Sequence, residues 1–205
     1  MAEALFVCAH GAGGHKDDGG MLRLARALEP RGFEVLRFNF PYKERGSKRI
    51  DPMAVLMQSF RDRIAPTRAA LGGRRLVIGG RSMGGRVASM LAAEGFECDG
   101  LLLAAYPLHP AGEPEKLRDA HLAAIRCPVL CLNGTRDALC RRDLMDKALV
   151  KVRAPWQMRW LEGADHSFRV LKSSGRTEAD VDAEVGEAAS AWLAGIKPAA
   201  DRPRE

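Results

Sequence analysis

The chain has 205 residues, of which 46% are hydrophobic and 28% charged, a balance that is ordinary for a folded globular protein. No apolar run approaches the ~20 residues that cross a bilayer, and the first residues include an acid but no basic stretch, so the sequence predicts neither a membrane span nor a signal peptide. The net charge is +6, yet the basic residues are scattered and only 6% of the chain is aromatic, which argues against nucleic-acid binding.

The length predicts one domain over residues 1–196, followed by a polar tail over 197–205 that we expect to be disordered. The five cysteines are odd in number and form no Cys-x-x-Cys pair, so we expect free buried thiols and a cytoplasmic location. No cluster of His, Cys and Asp has metal-ligand spacing, and the glycines after His10 lack the rest of a dinucleotide loop, so we expect no metal and no cofactor.

Short apolar runs alternate with helical patterns along the chain, which predicts a three-layer α/β/α fold with about six mostly parallel strands. The helix over 52–71 has the clearest start, with Asp51 as the N-cap and Pro52 at the first helical position. In chain order, the predicted strands cover 5–9, 34–39, 76–79, 100–105, 129–133 and 157–161, and the predicted helices cover 20–31, 52–71, 83–95, 141–152 and 178–194.

The strand over 76–79 runs straight into Gly80-Arg81-Ser82-Met83-Gly84, and a helical pattern follows. A Gly-x-Ser-x-Gly turn between a strand and a helix lifts the serine hydroxyl above the sheet at a helix N-terminus, where developing negative charge is favoured. Glycines at 80 and 84 would let the strand and the helix approach closely. Ser82 is therefore the leading candidate for a nucleophile, and the alternative is that it is an ordinary N-cap residue.

The residues that follow the six predicted strands should share one edge, because ligands bind at the carboxyl ends of a parallel sheet. Ser82 follows the third strand, Asp137 the fifth and His166 the sixth. A serine, an acid and a histidine thus come together in the chain order Ser, Asp, His, which is the order of an α/β-hydrolase triad. Asp143 and Asp165 remain alternatives for the acid.

The motifs His10-Gly11-Ala12-Gly13, Gly80–Gly85 with Ser82, and Gly163-Ala164-Asp165-His166 make the chain resemble the small, lidless α/β-hydrolases of the dienelactone-hydrolase-like and esterase-like type. The resemblance implies a minimal fold that lacks the first two strands and the cap domain of larger members. It implies that Ser82 attacks an acyl carbon, that His166 is the general base and that Asp137 orients it. The backbone N–H groups of Met83 and Ala12, with Gly13 as second choice for the latter, would form the oxyanion hole.

The substrate is expected to be a small acyl compound, with Tyr42, Arg81, Tyr106 and His109 as candidate binding residues. His10 is expected to brace the glycine-rich loop. Basic residues gather in loops at the same edge, which favours either an anionic substrate or simply a solvated surface. These residues are Lys43, Arg45, Lys48, Arg49, Arg81, Arg136, Arg141, Arg142 and Arg169.

The segment 106–121 is rich in proline, glycine and charge, and we expect a partial flap over an open site. Three functions are compatible with the pattern: a serine hydrolase acting on an ester or thioester, a non-catalytic scaffold of the same fold, and an acyltransferase or perhydrolase using the same triad. A monomer or a homodimer is expected, with no membrane or nucleic-acid partner.

Overall fold

A computed structural model describes residues 2–69 and 71–197, which form a six-stranded sheet with all neighbouring strands parallel. The strand order is β2-β1-β3-β4-β5-β6. The predicted parallel sheet is therefore confirmed, and its strands are uniformly parallel. They are β1 (Ala4–Ala9), β2 (Phe33–Phe38), β3 (Arg75–Arg81), β4 (Gly100–Ala104), β5 (Val129–Gly134) and β6 (Trp156–Leu161).

Helices cover both faces of the sheet, which confirms the three-layer architecture. Alternate residues of each central strand enter opposite cores, because successive side chains of a strand point to opposite faces. On one face the core receives Leu5 and Val7 of β1, and on the other it receives Phe6 and Cys8. The helices are α1 (Gly19–Leu28), α2 (Pro41–Glu44), α3 (Met53–Arg68), α4 (Met83–Ala93), α5 (Arg142–Leu149) and α6 (Glu178–Ala194).

The first core lies against α3, α4 and α5, and the second against α1 and α6. Both cores contain many large buried apolar side chains, including Phe60 and Leu91 in the first and Leu24 and Val185 in the second. All five cysteines are buried. Over residues 2–69 and 71–197, no helix combines the length and apolar character needed to span a membrane.

The start of α3 differs from the sequence prediction. Pro52 is extended, with a ψ of 149°, and the helix begins only at Met53 without a side-chain cap. Asp51 does not cap it, because its carboxylate accepts from Arg45 at 2.7 Å instead. The short helix α2 was not predicted, since four residues after a strand carry too little periodicity to be recognised. Of the predicted tail, residues 198–205 lie outside the described residues.

The strand register brings the loops that follow five of the strands to one edge. Ala9 at the end of β1 pairs with Gly80, and Gly80 pairs in turn with Leu103 of β4. The loops that follow β1, β3 and β4 therefore leave the sheet at almost the same height. The loops after β5 and β6 emerge beside them, because Gly134 and Leu161 are also paired.

Candidate active site

Ser82 lies at the apex of a sharp turn between β3 and α4. Its backbone has φ 49° and ψ −116°, a conformation that L-residues rarely adopt, and its N–H donates to Ala104 at 2.8 Å. A Cβ on either Gly80 or Gly84 would lie 2.1 Å from the carbonyl oxygen of Ala9. Side chains at those two positions are therefore excluded by the close approach of β1, as the motif predicts.

His166 lies between Ser82 and Asp137. Its Nε2 is 3.0 Å from the Ser82 hydroxyl, and its Nδ1 is 2.9 and 2.8 Å from the two carboxylate oxygens of Asp137. The Asp137 side chain is fully buried and also accepts from the Asn133 amide at 3.1 Å and the Leu139 N–H at 2.8 Å. These donors fix the carboxylate, which in turn fixes Nδ1–H of the ring and leaves Nε2 facing the hydroxyl.

The two other candidate acids point elsewhere. Asp165 accepts from the backbone N–H groups of Ser167 and Arg169, so it closes its own turn. Asp143 forms an exposed ion pair with Arg141 at 2.8 Å. Of the three aspartates considered, Asp137 is therefore the one placed against the His166 ring.

The loop after β1 lies directly against the serine. A Cβ on Gly11 would be 3.4 Å from the Cβ of Ser82. No backbone carbonyl within the described residues accepts from the N–H of Ala12 or Gly13. Met83 is the first residue of α4, where the N–H has no intrahelical acceptor. These donors are thus available near Ser82, and their oxyanion role stays a prediction.

His10 braces this loop from below. Its Nδ1 donates to the carbonyl of Gly11 at 2.7 Å, and its Nε2 accepts from the N–H of Phe40 at 3.2 Å. The ring is buried, and that burial lowers the pKa of His10 below its ordinary value. A neutral ring can make both bonds at once, so His10 connects the glycine-rich loop to the segment after β2.

Tyr42, Tyr106 and His109 do not lie where the sequence reasoning expected them. All three are buried. The Tyr42 hydroxyl donates to the carbonyl of Ala12 at 2.7 Å, so it supports the loop rather than facing a ligand. The Tyr106 hydroxyl donates to the carbonyl of Arg118 at 2.9 Å, and Nε2 of His109 accepts from the N–H of Arg141 at 3.2 Å. The polar side-chain atoms of all three residues therefore form hydrogen bonds within the protein.

Arg81 is the fourth residue displaced from its expected role. Its guanidinium donates to the carbonyl of His166 at 2.8 Å and lies 5.7 Å from the centre of the Phe168 ring. Burial is the main cause that lowers the pKa of Arg81. The side chain extends toward Gly20 of α1 on the far side of the sheet. Arg81 therefore holds the loop that carries the histidine, which makes it a positioning residue.

A second serine–histidine pair, Ser89 of α4 with His121, was not predicted from the sequence. The Ser89 hydroxyl donates to the carbonyl of Arg86 at 2.8 Å, and Nε2 of His121 lies 2.8 Å from the same oxygen. Because Ser89 already donates its proton, the His121 ring must be the donor, which is opposite to the action of a base. Burial lowers the pKa of His121 to about 4, and Arg86 adds to the effect. This pair anchors the segment 106–121 to α4, and the action of that segment as a flap stays a prediction.

Most of the basic residues predicted at this edge have partners. Arg45 pairs with Asp51, Arg141 with Asp143, and Arg136 donates to the carbonyl of Gly163 at 3.1 Å. The guanidinium of Arg142 lies over the Trp160 ring. For residues 2–69 and 71–197, no group of three or more His, Cys, Asp or Glu side chains is arranged to hold a metal ion.

Comparison with known proteins agrees with the fold. The alpha/beta hydrolase domain family matches residues 2–194. A serine hydrolase without lid from Xanthomonas campestris is 20% identical, with 97% of this chain and 86% of that chain covered and a TM-score of 0.72. An alpha-beta serine hydrolase homologue from Coxiella burnetii is 17% identical, with 91% and 85% covered and a TM-score of 0.74. Dienelactone hydrolase from Anabaena variabilis is 19% identical, with 95% and 87% covered and a TM-score of 0.72.

Proposed function

Since the chain belongs to the α/β-hydrolase family, we propose that it is a serine hydrolase that cleaves an ester or thioester bond of a small acyl substrate. The observation that carries the proposal is the line of contacts from Ser82 through His166 to Asp137, with separations of 2.8–3.0 Å. Those separations fall within the range in which a base can take the proton of its nucleophile. The serine hydrolase without lid from Xanthomonas campestris, which has the same fold, supports this class of reaction.

The reaction would proceed in two halves. Ser82 Oγ attacks the acyl carbon while its proton passes to Nε2 of His166, and the negative oxygen that forms is held by the N–H groups of Ala12 and Met83. His166 then gives the proton to the departing alcohol or thiol, leaving an acyl group on Ser82. A water molecule repeats the sequence, with His166 again as base, and releases the acid. Asp137 stabilises the imidazolium in both halves.

Labelling with a fluorophosphonate probe tests the proposal. We expect the wild type to be labelled on Ser82 and Ser82→Ala to remain unlabelled. Ser89→Ala is the matched control, because it removes the serine of the other serine–histidine pair, and we expect labelling to persist. Circular dichroism establishes that each variant is folded. A folded wild type that takes up no probe would refute the proposal and favour the scaffold function.

The product of the reaction separates hydrolysis from acyl transfer. The wild type is offered matched 4-nitrophenyl and thiophenyl esters, first in water and then with added methanol, an amine or peroxide. We expect free acid to remain the main product in each case. A dominant ester, amide or peracid would instead identify an acyltransferase or perhydrolase that uses the same triad.

A further inference from the structure

Arg86 and Arg118, whose charges interact with each other, have no acidic partner among the described residues. Arg86 lies one helical turn beyond Ser82, and its N–H donates to the Ser82 carbonyl at 3.0 Å. Its Nε is buried and has no hydrogen-bond partner. Within the described part of the chain, neither Arg86 nor Arg118 forms an ion pair, and the neighbouring acid Asp119 pairs with neither of them.

Arg118 lies in the segment 106–121, which His121 joins to α4 through its contact with Ser89. The N–H of Arg118 donates to the carbonyl of Leu108 at 2.7 Å, and its own carbonyl accepts from the Tyr106 hydroxyl at 2.9 Å. The guanidinium makes one long contact, 3.5 Å to the carbonyl of Pro107. These bonds fix the backbone of Arg118 close to the end of β4, the strand next to the one that delivers Ser82.

The interaction between the positive charges of Arg86 and Arg118 is unfavourable in the absence of a counter-charge. Burial lowers the pKa of Arg86, and the positive charge of Arg118 lowers it further. Transfer of a charge out of water is costly unless a counter-charge accompanies it. Arg23, which is similarly withdrawn from solvent, has such counter-charges in Glu178 and Asp182, each at 2.6 Å. Acidic side chains thus neutralise Arg23, whereas Arg86 and Arg118 have none among the described residues.

We propose that Arg86 and Arg118 form a binding site for a carboxylate at the far end of the acyl chain of the substrate. This inference rests on the proposed hydrolase function. Side chains four residues apart lie on one helix face and lean toward the N-terminus, so Arg86 leans toward Ser82. The corresponding Cα positions are about 6 Å apart along a helix axis. A half-ester of a short dicarboxylic acid would place its carbonyl at Ser82 and its free carboxylate between the two guanidinium groups, which suit bidentate carboxylate binding.

The test compares two esters that differ only in the distal charge. Mono-4-nitrophenyl adipate and 4-nitrophenyl hexanoate have the same acyl length and the same leaving group. The measured quantity is the ratio of their kcat/KM values, divided by the ratio of their hydroxide-catalysed rates to remove intrinsic reactivity. For the wild type we expect a ratio of about tenfold in favour of the adipate, the size expected for a charge-assisted bond.

Arg86→Met and Arg118→Met should each reduce this ratio to near unity. The matched control is Arg153→Met, which removes the same charge from an exposed arginine before the amino end of β6, whereas Ser82 follows the carboxyl end of β3. We expect this control to leave the ratio at the wild-type value. Thermal melting establishes that each variant folds. Arg118→Met carries the test by itself if Arg86→Met does not fold, since Arg118 belongs to the flap and not to α4.

The two proposals fail in distinguishable ways. A wild type that hydrolyses both esters at a ratio near unity, or at a ratio that neither substitution changes, would overturn the carboxylate site and leave the hydrolase intact. If the wild type cleaves neither ester and takes up no fluorophosphonate, the hydrolase proposal is overturned, and calorimetric titration with adipate decides on the site. Binding to the wild type that Arg118→Met abolishes supports the site, and absence of binding overturns it.

Discussion

Replacement of Gly84 by alanine tests whether the close approach of β1 and α4 sets the geometry of Ser82. The added Cβ would lie 2.1 Å from the carbonyl oxygen of Ala9, whereas real contacts of this kind essentially never fall below 3.0 Å. The obstacle is backbone, so the start of α4 must move by about 1 Å, and Ser82 moves with it. A displacement of that size can cost about 10²-fold in rate, and overpacking of a core costs about 1–3 kcal/mol of stability.

Two measurements follow the substitution: the second-order rate of fluorophosphonate labelling at Ser82, and the free energy of unfolding in urea. Gly19→Ala is the matched control, because its new Cβ would meet nothing within 4 Å and its φ is not positive. We expect its labelling rate to be unchanged and its stability to be equal or slightly higher. If Gly84→Ala is labelled as fast as the wild type and unfolds at the same urea concentration, the steric argument is wrong.

Three further substitutions test the supporting contacts. Asp137→Asn should lower kcat/KM for 4-nitrophenyl acetate by about 10³–10⁴-fold, because it no longer orients Nδ1–H of His166; a loss below tenfold would contradict this. Tyr42→Phe removes the hydroxyl that supports Ala12, so kcat should fall severalfold with little change in KM, and an unchanged kcat would exclude that support. The pKa of His121 is lowered to about 4 in the folded protein, below about 6.5 when unfolded, so stability should fall as pH drops from about 6.5 toward 4. His121→Gln should lose less stability between pH 7 and pH 5 in urea titrations, and equal losses would refute the linkage.

The order of elements and the juxtaposition of Ser82, His166 and Asp137 could be predicted from the sequence because each leaves a local signature. Buried parallel strands appear as short continuous apolar runs, and Ser82 lies inside a motif whose glycines have a steric purpose. The acid and the base follow strands, so topology alone brings Asp137 and His166 to the edge where Ser82 emerges. The choice of Asp137 over Asp165 also follows locally, since Asp165 is next to the histidine and closes its own turn.

Side-chain direction could not be predicted in the same way. Tyr42 follows a strand, but it enters a short helix that turns its ring into the core. Arg81 precedes Ser82, and successive residues of a strand point to opposite faces, so the guanidinium reaches the far side of the sheet and holds the His166 loop. Arg81 is therefore next to Ser82 in sequence, but its side chain does not enter the candidate site.

Arg86 and Arg118 are absent from the basic residues predicted at this edge, because Arg86 lies within a helix and Arg118 lies late in the long segment that follows β4. The two arginines come together only because the segment 106–121 returns over α4, where His121 bonds to Ser89. Cations that are conspicuous in the sequence, such as Arg141 beside Asp143, are offset by acids close by. Arg86 and Arg118 indicate a ligand site because the fold withdraws their charges from water without an acidic side chain paired with them among the described residues. That property belongs to the assembled structure, and the adipate comparison tests it directly.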